Sequence, residues 1–287
     1  MTSLADLLHK YNLYPKKGLG QNFLTDAHHL SKIVEAAELS GDDTVLEIGP
    51  GPGTLTRLLV EQAGHIIAVE LDAGMIHLLQ TEYGHYPNLT ILHADILKTQ
   101  ITPQLLSQST NQPTNNLTNQ PTSYKVVANL PYYITSAVVR HLLESNPKPS
   151  RLVITVQKEV AQRIVAEPGD MSLLAVSVQF YGQPSLVHHI PAGAFYPPPK
   201  VDSAVVCIDT YTQPPASVPD IEFFFQVVKA GFSQKRKQLK NTLTAGLRQP
   251  TEIVTQALEQ AGINPTRRAQ TLSVAEWGKL SEALASR

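Results

Sequence analysis

The stretch "VLEIGPGPGTLTRLL" (45–59) decides how this chain is read. A short, mostly apolar run breaks into Gly49, Gly51 and Gly53, and a helix-like pattern follows. Glycines between a strand and a helix let backbone approach a bound molecule closely, beside the amino end of that helix. Glu70 lies in the next apolar run, 65–71, about 20 residues on, where an acid would grip ribose hydroxyls. A dinucleotide is the first ligand to consider, and two details oppose it. The third glycine of the GxGxxG pattern falls one place early, with Thr54 in the expected position. Pro50 and Pro52 carry no N–H, whereas a pyrophosphate needs amide donors from such a loop. A cofactor with adenosine but no phosphates fits better, and S-adenosylmethionine is such a molecule. A ligand-free turn is the plainer alternative, and Glu70 together with the strand–loop–helix context speaks against it. Asp95, in "LHADIL" (92–97), could accept from an adenine amino group or could cap a helix.

Working outward, apolar runs at 44–48, 65–71, 89–95, 124–130, 151–157, 185–190 and 203–209 read as strands. Most are unbroken, as expected for strands covered on both faces. Helical patterns at 54–63, 73–83, 135–145 and 157–166 lie between them. This alternation predicts an α/β fold: a doubly wound, mostly parallel, Rossmann-like sheet. The last two runs have no helix-length segment between them and predict an antiparallel hairpin at one edge. Residues 99–123, rich in Thr, Asn, Gln, Ser and Pro and without charge, predict a disordered insertion with little to bury. A Pro-rich linker at 210–220 separates this first domain, 1–209, from a small all-helical C-terminal domain, 221–287. In that domain Gly246 and Gly262 stand where helix C-caps would be, and Ser273 with Glu276 fits a capping box.

The composition of the 287 residues, 42% hydrophobic and 16% charged, is that of an ordinary globule. No apolar run approaches the ~18–20 residues that span a bilayer, so no membrane partner is expected. The first twenty residues show neither an apolar core nor a cleavage signal of a targeting peptide. Cys207 is the single cysteine and reads as a buried thiol, which leaves neither a disulfide nor a cysteine-held metal to expect. Cytoplasm is the expected compartment, and no metal is expected. The net charge of −1 conceals an asymmetry, because 221–287 holds ten Lys/Arg against five Asp/Glu. A basic C-terminal part suggests either a polyanion partner or a solvated helical surface.

In "VVANLPYYITSAVV" (126–139) a buried-strand pattern ends in Asn129-Leu130-Pro131-Tyr132. Asn129 falls on the carboxyl edge of the sheet, where such folds hold ligands. Its amide oxygen and the backbone carbonyl that follows are acceptors, Pro131 stiffens the turn, and Tyr132 offers a flat face. Together they suit holding an exocyclic amine by its two hydrogens while the ring stacks on tyrosine. Two such acceptors would localise an adenine N6 lone pair toward an incoming methyl, with no strong base required. A plain strand-ending turn is the alternative. "AFYPPPKVDSAVV" (194–206) adds Phe195 and Tyr196 before a rigid proline run, which could also be a mere connector.

With "KKGLGQNFLTD" (16–26), "VLEIGPGPGTLT" (45–56), "VVANLPYYI" (126–134), "FYPPPKVDSAVV" (195–206) and "RRAQTLS" (267–273), the chain resembles the ribosomal RNA adenine N6-dimethyltransferases, the bacterial small-subunit branch in particular. The match runs nearly end to end and leaves out chiefly 99–123. The resemblance implies that Asn22 and Leu24 fold over S-adenosylmethionine. It assigns Gly49 to the methionine side, with Gly51 in the same loop, Glu70 to ribose and Asp95 to adenine. Asn129 would sit between sulfonium and target amine, flanked by Leu130 and Pro131, with Tyr132 and Phe195 as stackers. The implied reaction is four methyl transfers to two adjacent adenines in a hairpin near the 3′ end of 16S rRNA, in a 30S particle, by a monomer. Lys235, Arg236, Lys237 and Lys240 would meet RNA phosphates. One departure is "EPGDMSLLAV" (167–176), shorter than the family's usual segment, which puts nearby RNA contacts in question. The competing readings are a large-subunit rRNA adenine methylase of antibiotic-resistance type, a non-catalytic assembly or RNA-binding factor, and a dehydrogenase.

Overall fold

Nine strands form in the computed structural model, which describes residues 3–107, 123–216, 218 and 220–286. They are β1 (Phe23–Leu24), β2 (Thr44–Ile48), β3 (His65–Glu70), β4 (Leu89–His93), β5 (Lys125–Asn129), β6 (Arg151–Gln157), β7 (Gly182–Ile190), β8 (Phe195–Tyr196) and β9 (Ser203–Thr210). The helices up to the sheet's end are α1 (Leu4–Lys10), α2 (Ala27–Ala37), α3 (Thr56–Leu59), α4 (Ala73–Tyr83), α5 (Pro103–Leu106), α6 (Thr135–Leu143), α7 (Lys158–Ile164) and α8 (Leu173–Gln179). Beyond it come α9 (Ile221–Gly231), α10 (Leu239–Leu247), α11 (Thr251–Gln260) and α12 (Val274–Ala285).

Seven strands make one sheet in the order β4-β3-β2-β5-β6-β9-β7. β2 to β6 pair in parallel and β9 runs antiparallel to β6. Every residue of β2 is buried, and β3, β5 and β6 expose little beyond their ends, hence their unbroken apolar sequences. β7, next to β9 at the edge, leaves Leu186 and Val187 exposed. The sheet is therefore mixed, with the last two long strands side by side at one end. Chain order reverses between β2 and β5, which opens a crevice at their carboxyl ends. α2 covers one face, seating Ile33, Val34 and Ala37 against Val127, Val153 and Val205. Its start is fixed by Asp26, whose carboxylate accepts the His29 N–H at 3.1 Å.

The chain groups into two compact units, 1–161 with 185–210 and 162–184 with 211–287. Composition gives no sign that 162–184 keeps company with the C-terminal helices, and an aromatic cluster explains it. Phe180 stacks on Phe224 with ring centroids 4.6 Å apart, and Phe225 meets both Phe180 and Tyr181. Residues 167–172 form a turn bound to the 3-10 turn Ala269–Thr271: Gly169 and Met171 N–H groups donate to the Gln270 carbonyl. Within the C-terminal unit the capping box at Ser273 and Glu276 is complete. Gly262, at φ +72°, closes α11 in a Schellman motif, with Ile263 N–H donating to the Leu258 carbonyl. Gly246 is no cap: it lies inside α10, where a Cβ would come within 2.6 Å of Ala230 Cβ. It serves the close approach of α10 to α9.

The expected disordered insertion needs a correction at its start. Residues 101–106 are ordered, with Ile101 and Leu106 buried, Pro103 opening α5, and Thr102 capping the Leu105 N–H. Two apolar side chains and a cap suffice to seat this short piece; 108–122 lie outside the described residues. Among the described residues no helix is long and apolar enough to cross a membrane.

Candidate active site

The crevice at the β2/β5 switch is a cleft of about 770 Å³, counting the open space at its mouth. Its walls come from the segments that follow four parallel strands, and its cover comes from residues 19–23.

The glycine loop forms the first wall. Gly49, Gly51 and Gly53 all have positive φ, at +65°, +56° and +83°. Their amides are spent inside the protein: Gly49 donates to the Val69 carbonyl, Gly53 to the Pro50 carbonyl, and Gly51 to Glu70 Oε2 at 3.0 Å. Pro50 and Pro52 have none to give. α3 is regular over only four residues, shorter than the 54–63 pattern suggests, so no long helix presents its amino end to the cleft.

Glu70 is 6% exposed. Its Oε1 accepts the Leu71 and Asp72 N–H groups, both at 2.8 Å, in addition to the Gly51 bond on Oε2. A carboxylate offers about four lone-pair sites; three are occupied, which leaves one on Oε2 for a ligand hydroxyl. Burial raises the Glu70 carboxyl above its ordinary range, against the pull of the three amides. Asp95 also lines the cleft, half-buried, with Oδ1 accepting the Leu97 N–H. It closes a turn rather than capping a helix.

The opposite wall is 129–134. Asn129 Nδ2 donates to the Asn22 carbonyl at 3.1 Å, so its Oδ1 is the end left to accept. The Pro131 carbonyl is taken by Ile134 N–H and Thr135 Oγ1. The Leu130 N–H is tied to the Thr155 carbonyl. The Leu130 carbonyl is therefore the backbone acceptor this turn has to spare. Tyr132 is pinned by a 2.7 Å hydrogen bond to the buried Ser203 hydroxyl, and burial raises its own. Its ring lines both this cleft and a second groove bounded by Lys17, Gln157, Tyr196, Pro197–Pro199 and Lys200.

Two sequence expectations shift by one residue. Leu24 is 1% exposed in the core, and Phe23 beside it lines the cleft and covers Gly51. Phe195 is 4% exposed, packed in the same core opposite Leu24, while Tyr196, 41% exposed, faces the groove. The cause is the antiparallel pair β1·β8: alternate residues point to opposite faces, and Leu24 and Phe195 share the inner one. Gln21 went unread too. Its amide holds Asp72 at 3.0 Å beside Lys16 at 2.8 Å, anchoring the covering segment. Burial works to raise Asp72, and these two partners outweigh it and hold its carboxyl low. Its place inside "GQNFL" was the only signal. Lys235, Arg236 and Lys237 stand exposed on the turn between α9 and α10, and Lys240 is half-buried at the start of α10.

A family model described as "Ribosomal RNA adenine dimethylase" matches residues 13–286. The chain belongs to this family. The dimethylase is 47% identical to a Dehalococcoides mccartyi protein named "Ribosomal RNA small subunit methyltransferase A", over 98% of this chain and 92% of that one. Its fold matches the 23S rRNA methyltransferase ErmE with TM-score 0.70 and 28% identity, covering 92% and 100% of the two chains. A Plasmodium falciparum dimethyladenosine transferase matches with TM-score 0.72 and 25% identity, covering 90% and 95%. The dimethylase is thus an S-adenosylmethionine-dependent rRNA adenine methyltransferase, and the cleft fits that cofactor. Spent loop amides and prolines offer a pyrophosphate no N–H donor, a lack that matters little to a ribose and a sulfonium-bearing methionine chain. Glu70 keeps one acceptor site unused, and Asp95 stands half-buried in the same cleft.

Proposed function

We propose that this dimethylase modifies the small ribosomal subunit, placing two methyl groups on N6 of each of two adjacent adenines in a hairpin near the 3′ end of 16S rRNA. The substrate is a 30S particle, and the enzyme works as a cytoplasmic monomer. Support comes from the 47% identity to a protein named for the small subunit, against 28% to one named for 23S rRNA.

The observation that carries the chemical reading is the hydrogen bond from Asn129 Nδ2 to the Asn22 carbonyl. It fixes which end of the amide is an acceptor. Asn129 Oδ1 and the Leu130 carbonyl would hold the two N6 hydrogens of a flipped adenine. That draws the nitrogen lone pair out of conjugation and aims it. S-adenosylmethionine, when bound, supplies the electrophilic methyl. Glu70 and Asp95 would orient it, and Asn22 and Phe23 would cover it and exclude water. The proton is lost after transfer, when the amine has become acidic, so no strong base is needed at Asn129. Tyr132 would stack the base, a contact worth ~1–3 kcal/mol, enough to offset unstacking from the RNA. Tyr196 extends that groove, and Lys17 and Lys200 flank it. Lys235, Arg236 and Lys237, with Lys240 behind them, would bind phosphates without reading sequence.

The test incubates purified 30S and 50S particles separately with the protein and isotope-labelled cofactor, followed by mass spectrometry of nuclease digests. Dimethyladenosine is expected from 30S alone. Label in 50S RNA instead would establish the large-subunit reading.

A further inference from the structure

Three histidines outside the cleft converge on one point. His28 and His29 open α2, and His188 comes from β7, with a ligating nitrogen of each within 4.8 Å of the others. The ring centroids form a triangle with sides of 5.5, 5.7 and 5.0 Å. His29 and His188 are half-buried and His28 is exposed. His29 Nδ1 and His188 Nε2 already meet at 2.8 Å, which requires one imidazole to give its proton and the other its lone pair. Neighbouring histidines on a helix do not normally face one point. Here the first turn of α2 lets both reach the strand.

We propose that His28, His29 and His188 form a binding site for a divalent transition-metal ion of the zinc class. Three neutral imidazoles and one solvent molecule make a four-coordinate nitrogen-rich set, which suits Zn²⁺, Co²⁺, Ni²⁺ or Cu²⁺ and not Mg²⁺ or Ca²⁺. Zinc–imidazole bonds of ~2.0–2.1 Å place tetrahedral ligand atoms roughly 3.3 Å apart. The His29–His188 pair then opens by about half an ångström and the third ring swings inward, a change of side-chain torsions. The surroundings tolerate the charge. Asp26 carries its carboxylate at the start of α2, beside His28 and His29. The nearby Lys32 is already paired with Glu35 at 2.7 Å.

The site has a mechanical meaning. His28 follows β1 by four residues, and His188 precedes β8 by seven. β1 and β8 are already paired, and the Thr25 N–H donates to the Ala194 carbonyl. A metal ion would cross-link the same two segments a second time. One of them carries Asn22 and Phe23 over the cleft, so the ion would stiffen the cover without touching the reacting atoms.

The test uses the full chain without an affinity tag, stripped of metal and titrated with CoCl₂ in the visible range. One equivalent of cobalt should give the intense absorption of a four- or five-coordinate site, displaced by ZnCl₂ and not by MgCl₂. H188Q and H29Q, whose amides can still hydrogen-bond across the pair, should each weaken cobalt binding more than about a hundredfold, beyond the ~10–100-fold that loss of an outer-shell partner commonly costs. H9Q, a remote exposed histidine change, should leave it unaltered. Zinc should raise the Tm of wild type and not of H188Q. Octahedral, unsaturable cobalt binding by wild type, or H188Q binding as wild type does, overturns the proposal.

Discussion

The two walls of the cleft are built on opposite plans. On the glycine-loop side every amide from Gly49, Gly51 and Gly53 is already bonded, and the acid Glu70 is 6% exposed. On the Asn129–Tyr132 side no carboxylate or amine is present, and two acceptors, Asn129 Oδ1 and the Leu130 carbonyl, are left over. A wall with spent polar groups binds by shape and by one remaining lone pair. A wall with unspent acceptors does chemistry on a donor. The difference supports the proposal of cofactor at the first and amine at the second without reference to any relative.

Asn129→Ala attacks the contrast hardest. Removing the aimed oxygen should lower the single-turnover rate by about a hundred- to a thousand-fold, the usual loss when one preorganised polar contact to a transition state goes. Calorimetric affinity for S-adenosylmethionine should fall far less, because Glu70, Asp95 and the loop are untouched and only the tie to the Asn22 carbonyl is lost. A variant that still turns over within tenfold of wild type would take the amine-holding role away from this wall.

Glu47 offers the next break, buried in the strand that leads into the other wall. It precedes Ile48 at the end of β2, and the Thr56 hydroxyl and N–H face its carboxyl and pull it down without reaching full hydrogen-bond geometry. Burial pushes its carboxyl up to about 8. In the unfolded chain it titrates near 4.3. The folded state therefore holds a proton that the unfolded state has lost between those values, and stability falls as pH rises through that window, then levels. Glu47→Gln keeps the neutral shape and removes the titration. Its Tm relative to wild type should rise steadily from pH 5 to pH 8 and flatten above, a swing of a few kcal/mol in stability. Parallel Tm profiles for the two proteins would mean that Glu47 finds a charge partner when ionised.

How much of this was legible in the sequence follows physical lines. The buried strands could be read because each is covered on both faces, so the apolar run and the strand coincide, as at 44–48 and 151–157. The loop prolines were legible because a missing N–H is a property of the residue itself. What was not legible depended on partners distant in sequence. "AFYPPP" does not say whether Phe195 or Tyr196 faces inward; pairing with Phe23–Leu24 decides it. Gly246 looks like a cap until Ala230 is beside it. The three histidines are separated by 159 residues between His29 and His188, and no local pattern joins them.

The smallest effect separates two glycines two residues apart. Gly49 and Gly51 have nearly the same backbone, φ +65° and +56°, so alanine at either should cost roughly 1–2 kcal/mol in left-handed strain. They differ in what a Cβ meets. At Gly49 nothing lies within 4 Å, and the new methyl enters the open cleft. At Gly51 it would stand 2.7 Å from Phe23 Cε1. That ring cannot retreat cheaply, because Phe23 is 7% exposed and packed with Leu8, Met75 and Leu78. Overpacking of this kind adds about 1–3 kcal/mol. Gly51→Ala should therefore unfold at lower denaturant than Gly49→Ala, while Gly49→Ala, whose methyl occupies ligand space, should lose more cofactor affinity per unit of stability lost. If chemical denaturation and calorimetry rank the two variants alike, Phe23 is not clamped over the loop, and the wall that binds by shape owes its form to the backbone alone.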